Sequence, residues 1–166
     1  MAWFPDGRRV LFAGQEAGRS VRLYAQDVRG GRPEPISPEG VRITYASRPI
    51  SPDGRLVVAV DSNRRLLLQP LGAGPRPISG LEPGDIPIRW SGDGESLFVF
   101  RKGEIPGRVR RYHLPRDLET TVAELAPLDR AGVRTLTTVQ TTPDGRAYVY
   151  TYSQSLADLF LMGGLR

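Results

Sequence analysis

Apolar residues in this chain come in short runs cut by polar turns, and one kind of cut recurs four times. The turns read FPDG at 4–7, SPDG at 51–54, SGDG at 91–94 and TPDG at 142–145. Just ahead of them stand Trp3, Ile50, Trp90 and Thr141. Just behind come Val10-Leu11-Phe12, Val57-Val58-Ala59, Leu97-Phe98-Val99 and Tyr148-Val149-Tyr150. Each run is apolar on both alternating faces, as a strand reads when its sheet is covered on both sides. In the turn itself, proline presets φ at the second position, aspartate tolerates the third, and glycine takes the left-handed conformation that follows. A strand entering and a strand leaving such a turn make a tight hairpin. The four aspartates are therefore read as turn formers rather than as a fourfold acidic site.

The pattern continues beyond each hairpin. A third strand is predicted at 20–28, 65–70, 108–114 and 157–162. A fourth element follows in two units as GGRPEPIS (30–37) and GAGPRPIS (72–79), both ending in Pro-Ile-Ser. Proline is tolerated in an edge strand and not in a central one, so these segments suit the outer edge of a sheet. The third unit has DLETTVAEL (117–125) in that place, without the prolines. The stretch 118–132 reads as strand plus loop, because Pro127 and the β-branched residues oppose a helix. The turn aspartates Asp6, Asp53, Asp93 and Asp144 are 47, 40 and 51 residues apart. That period fits one four-stranded propeller blade of about 40–50 residues. The expected fold is all-β: a single propeller segment over 1–166 with about four four-stranded blades, at approximately 1–38, 47–80, 86–125 and 133–166.

These residues carry a resemblance. AWFPDGRRVLFAG (2–14), ISPDGRLVVAV (50–60) and RWSGDGESLFVF (89–100) resemble the TolB-like, WD-like β-propeller repeats. Trp3 and Trp90 match the aromatic position of that repeat; Ile50 and Thr141 depart from it. The segment 142–166 looks like the end of the C-terminal propellers of bacterial, especially acidobacterial, serine/threonine kinases and winged-helix regulators. Because that family needs more than four blades, the resemblance implies an open or partial ring. Its exposed sheet edges would favour pairing with another copy or with the missing blades of a larger parent. The implied function is non-enzymatic: a protein-interaction or ligand-sensing module, the C-terminal part of a larger bacterial protein such as a receptor-type kinase, on the extracytoplasmic or periplasmic side. Two other readings go with the resemblance. One is a TolB-like periplasmic component of the Tol–Pal envelope system. The other is the substrate-gating propeller of a prolyl-oligopeptidase-type peptidase, against which the terminal MGGLR counts, since that reading needs a hydrolase domain to follow.

Composition narrows the chemistry. The chain has 166 residues, with 19 glycines and 15 prolines that fit frequent turns. It has no cysteine, which removes thiolate metal sites, disulfides and a cysteine nucleophile. The net charge is +5, carried by arginines scattered in ones and twos, with Lys102 the single lysine. No recognition-helix, RNP or zinc-finger pattern accompanies that charge, so nucleic acid is not the expected partner. No apolar run approaches the roughly 18–20 residues of a membrane-spanning helix, so membrane insertion is not expected. The N-terminus lacks the basic start and long apolar stretch of a signal peptide.

Catalysis finds little support. The single histidine, His113, lies in a predicted strand, and no G-x-S-x-G elbow, P-loop or kinase signature is present. The loops DSN (61–63) and SGDGE (91–95) lack the spacing of a calcium loop. SGDGE also resembles the sialidase aspartate box, but Glu95 stands where glycine is required. Asp85 and Glu104 are separated acids with no pairing visible in the sequence. No catalytic, cofactor-binding or metal-binding residue is expected. Ligand contact, with a protein or peptide partner, is expected from the loops 38–47, 80–85 and 126–132 and from Arg48, Arg89 and Arg134 on or near inner strands, where a basic mouth would suit a carboxylate or an acidic peptide.

Overall fold

In the computed structural model, which describes residues 1–44 and 48–157, the repeated runs become antiparallel sheets stacked face to face. The first blade pairs β1 (Ala2–Trp3), β2 (Arg9–Gly14), β3 (Arg22–Asp27) and β4 (Glu34–Pro35) in chain order. The second pairs β5 (Arg42–Ile43), β6 (Leu56–Val60), β7 (Leu66–Pro70) and β8 (Arg76–Pro77). The third pairs β9 (Asp85–Trp90), β10 (Ser96–Arg101), β11 (Gly107–His113) and β12 (Leu118–Leu125). The fourth shows β13 (Val133–Thr141) and β14 (Tyr148–Gln154). Most of its expected third strand, 157–162, lies outside the described residues. So do 45–47 of the expected loop 38–47, within which Arg42–Ile43 are strand rather than loop. The single helical turn among the described residues is Leu114–Arg116, and no helix is long and apolar enough to cross a membrane.

The two-sided apolar runs are explained by the stacking. On β6, Val57 and Ala59 pack toward the first blade with Phe4, Leu11, Leu23 and Leu67. Val58, between them, points the other way, into a cluster with Leu66, Leu68, Trp90, Leu97, Val99 and Tyr112. On β10 the alternation repeats: Leu97 and Val99 face the second blade, while Phe98 and Phe100 join Val109, Leu136 and Val139 against the fourth. Successive residues of a strand point to opposite faces, so a strand packed between two blades must be apolar throughout. Three inter-blade clusters replace a single central core, as expected of a repeat whose units contact their neighbours.

Outer edges differ between blades. β4 and β8 are two residues long and carry Pro35 and Pro77. β12 runs for eight residues without proline, and its register with β11 shifts between Val109 and Arg110. Proline, shortness and bulges are alternative ways of blunting an edge.

Candidate functional site

The four turns are one device with two chemistries. In the second, the Ser51 hydroxyl donates to Asp53 Oδ1 at 2.6 Å and accepts the Leu56 N–H at 2.9 Å, while Asp53 Oδ1 accepts the Arg55 N–H at 3.0 Å. Ser91 with Asp93 and Thr142 with Asp144 repeat that pattern. The glycines Gly7, Gly54, Gly94 and Gly145 all have φ between 65° and 74°, where a side chain is strained. The first turn has Phe4 in place of the hydroxyl residue. There Asp6 Oδ1 accepts both the Arg8 and the Arg9 N–H, at 2.8 and 3.1 Å, and Arg9 adds an ion pair at 2.8 Å. Hydrogen bonds to the charged form hold all four carboxyls below the ordinary aspartate range. For Asp6 the Arg8 and Arg9 donors bring the value to about 2. For Asp53, Asp93 and Asp144 the Ser or Thr hydroxyl is the largest cause. Carboxylates committed to turn amides in this way are structural. The hydroxyl at the head of the turn was not singled out by sequence reasoning, although its Ser/Ser/Thr recurrence was the available signal.

The second position of each turn lines one open groove of about 610 Å³, to which Pro5, Pro52, Gly92 and Pro143 each contribute. Trp3, Trp90, Arg48 and Arg89 complete its character. No aspartate or glutamate is among the residues that line it. The two arginines meet where neighbouring blades come together: Arg48, outside the named strands, and Arg89 on β9 form an isolated parallel bridge, although their numbers are 41 apart. Arg89 is half-buried, and its Nε and Nη1 donate to the carbonyls of Trp90 (3.2 Å) and Thr141 (3.1 Å). Burial, and then the like charge of Arg48, push the Arg89 guanidinium below its ordinary value. Among the described residues, neither arginine makes an ion pair with a carboxylate. Two like charges held together without a counter-ion form a place for an anion, and a planar carboxylate matches the guanidinium fork. Arg134 is not part of this arrangement. It stands exposed on β13 at a register shift between Val133 and Thr135, away from the groove lining.

The remaining candidates for chemistry are otherwise engaged. Asp85 is buried at the start of β9, where Arg101 Nε (3.0 Å), the Glu82 N–H (2.9 Å) and Arg110 surround it. Arg110 also reaches Glu119 at 3.0 Å. Glu104 pairs with Arg108 at 3.4 Å. His113 lies with Nε2 3.3 Å from Glu95, and its Nδ1 accepts the Arg116 N–H. Ser51 and Ser91 line the groove, but their hydroxyls are spent in the turns. Among the described residues no group of three His, Cys, Asp or Glu side chains is placed to hold a metal ion.

No family model matches the chain, and no curated protein matches it in sequence. Solved structures do match in fold. TolB from Acinetobacter baumannii superposes with a TM-score of 0.63 at 18% identity, over 94% of this chain and 38% of that one. A putative TolB from Agrobacterium tumefaciens gives 0.58 at 23% identity, over 89% and 51%. An oligogalacturonate lyase in complex with manganese gives 0.52 at 13% identity, over 89% and 50%. The chain thus spans 38–51% of the length of these neighbours. At such identities the likeness speaks for architecture alone. Together with the stacked four-stranded sheets, it shows that this chain has the fold of a TolB-like β-propeller, present as an arc of blades.

Proposed function

We propose that this chain is a non-enzymatic interaction or ligand-sensing module, and that its groove takes a carboxylate-bearing peptide between Arg48 and Arg89. The observation that carries this reading is the meeting of the two guanidinium groups in a groove without acid. Rigid blades hold the two groups in place before a ligand arrives, which lowers the ordering cost of binding. The exposed Trp3 indole and the turn prolines give the same groove an apolar wall for the rest of a peptide. Membership in a larger bacterial protein is part of the proposal. The two TolB neighbours favour a periplasmic TolB-like component, whereas the receptor-kinase reading rests on the resemblance of 142–166.

The test is a titration with N-acetylated tetraglutamate, followed by the Arg Nε–H resonances and by Trp3 fluorescence. Binding should weaken at least about tenfold in Arg48→Gln, a loss of about 1.4 kcal/mol. It should weaken further with Arg89→Gln added, fall with rising salt, and stay unchanged in Arg134→Gln. Equal losses at Arg134 and Arg48 would overturn the assignment.

A further inference from the structure

In the first two blades the outer strands β4 and β8 are closed by proline and by having two residues each. β12 has eight residues and no proline, and among the described residues no strand is paired to its far side. Six of its eight residues are exposed, Leu118 (54%) and Val122 (40%) among them. An edge strand of this length offers a row of free N–H and C=O groups to another strand. Its charge also departs from that of the chain. The net charge is +5, yet residues 117–125 hold Asp117, Glu119 and Glu124 and no basic residue. Glu119 and Glu124 are five positions apart, and an odd separation in a regular strand puts two side chains on opposite faces. The bulge cancels this. Glu119 stands opposite Tyr112, Thr121 opposite Arg110 and Glu124 opposite Arg108, with Val122 left unpaired between. Arg108, Arg110 and Tyr112 alternate along β11 and so share one face. Glu119, Thr121 and Glu124 therefore share it too, and the ion pair of Glu119 with Arg110 at 3.0 Å agrees. Glu124 makes no ion pair among the described residues, since Arg108 is taken by Glu104 at 3.4 Å.

We infer that β12 is an edge to which a basic extended segment of a partner protein adds as a fifth, antiparallel strand, with lysine side chains opposite Glu119 and Glu124. In strand addition, main-chain hydrogen bonds supply affinity and alternate side chains supply selectivity. The selecting row here is Glu119, Thr121 and Glu124, and opposite charges facing each other favour a cross-strand pair. The bulge sets the spacing. The two lysines stand four residues apart in the partner, as Arg108 and Tyr112 do on the inner side of β12. The same row disfavours a second copy of this chain. Two β12 strands paired antiparallel over their full length would set each Glu119 against the Glu124 of the other, and like charges directly opposite are destabilising. The nearby arginines do not cancel the acids at the edge. They lie one strand further in, where Asp85 and Glu119 engage Arg110 and Glu104 engages Arg108.

The probe is the blocked peptide Ac-Thr-Lys-Val-Thr-Val-Lys-Thr-NH2, whose lysines are four apart. Amide hydrogen exchange of this chain is followed by nuclear magnetic resonance with and without millimolar peptide. Amides of β12 should slow on the order of tenfold, and those of β4 and β8 should not. Ac-Thr-Lys-Val-Thr-Lys-Val-Thr-NH2 has the same composition, but its lysines fall on opposite faces. It should bind about threefold or more weakly, and Glu124→Gln should weaken the first peptide by a similar factor. Glutamates in place of both lysines should abolish protection. N-methylation of alternate amides gives two further peptides. One set should abolish binding and the other should leave it, because only one edge of an added strand faces β12. The peptide controls leave the protein unaltered, so they decide the matter even where a variant fails to fold. No protection by the first peptide, equal binding at the two lysine spacings, or equal tolerance of both methylated sets would each overturn the proposal. Protection of β12 that rises with the concentration of the chain alone would make the occupant a second copy and overturn the partner named here. β12 shares no residue with the groove of Arg48 and Arg89. Arg48→Gln should leave the lysine peptide bound, and tetraglutamate should leave the β12 amides unprotected, so either reading can fail alone.

Discussion

Trp3 and Trp90 have the same side chain, the same place in the repeat and opposite surroundings. One is mostly in solvent and the other is buried under a neighbouring blade. Neither the local strand nor the turn that follows accounts for the difference, since both tryptophans sit on inner strands one residue ahead of the aligned turn. What differs is whether a blade stands on that side. In a stacked repeat the interaction energy therefore lies mainly between units, and a residue's contribution is set by its neighbour rather than by its own segment.

The largest expected effect separates the two directly. Trp90→Ala removes a fully enclosed ring and leaves the Pro49 carbonyl with one donor fewer, at a cost of about 3–5 kcal/mol. Trp3→Ala should change stability by about 0.5 kcal/mol or less, as exposed substitutions do. Urea unfolding followed by far-ultraviolet circular dichroism measures both. Similar costs at the two sites would mean that the first blade's face is already covered.

The interface beside Trp90 can be probed from a second direction. The Gly80 N–H donates to the Tyr112 hydroxyl at 3.2 Å, and that hydroxyl is also bonded to Asp117. A Cβ at Gly80 would lie 2.3 Å from Tyr112 Cε2. The ring is held by the second blade's apolar cluster and by Asp117, so it has little freedom to move aside. Gly80→Ala should cost about 1–3 kcal/mol through overpacking. The same exchange at Gly74, whose added Cβ would meet no atom within 4 Å, should not. A Gly80→Ala protein of wild-type stability would show that this interface yields more readily than close packing allows.

The contrast between end and interior also marks how far the sequence could be read. The hairpin turns, the period and the two-sided strands are local patterns, and local patterns are legible. Val57, Val58 and Ala59 announce a strand covered on both faces before any neighbour is known. The proline-bearing outer strands at Pro35 and Pro77 were legible for the same reason. The partners were not. Arg48 meets Arg89 through an isolated parallel bridge between adjacent blades, and no spacing within one blade encodes that. Arg134 shares with them only a place on or near an inner strand, since it stands ten residues ahead of its turn aspartate where Arg48 and Arg89 stand five and four ahead. It is exposed at a register shift of β13 and lies outside the groove lining. Asp85 reads as an isolated acid in the chain, yet Arg101 and Arg110 arrive from two further strands. Residues joined across strands, within a blade as at Asp85 or between blades as at Arg48 and Arg89, are thus the ones a linear reading leaves without their partners.

The smallest expected effect sharpens the comparison at the turns. In the interior turns a Ser or Thr hydroxyl shares the work with aspartate, so Ser51→Ala should cost about 1 kcal/mol, the worth of one such hydrogen bond. The first turn has no hydroxyl, and Asp6 binds two amides and Arg9 alone. Its folded-state value of about 2 lies below that of an unfolded aspartate. A depressed folded value means that the unfolded chain takes up the proton more readily as pH falls. The stabilisation by Asp6 is therefore full above about pH 4, and it drains away as pH drops toward 2. Being solvent-exposed, the pair contributes no more than about 1 kcal/mol after screening. Asp6→Asn keeps an amide oxygen for the Arg8 and Arg9 N–H groups but loses the charge. Its stability should be lower than wild type at pH 6 and should converge on it by pH 2. Thermal unfolding across that range reads the difference. A constant gap between the two proteins from pH 6 to pH 2 would show that Asp6 acts through its shape and not its charge, and that the first turn is held as the interior turns are.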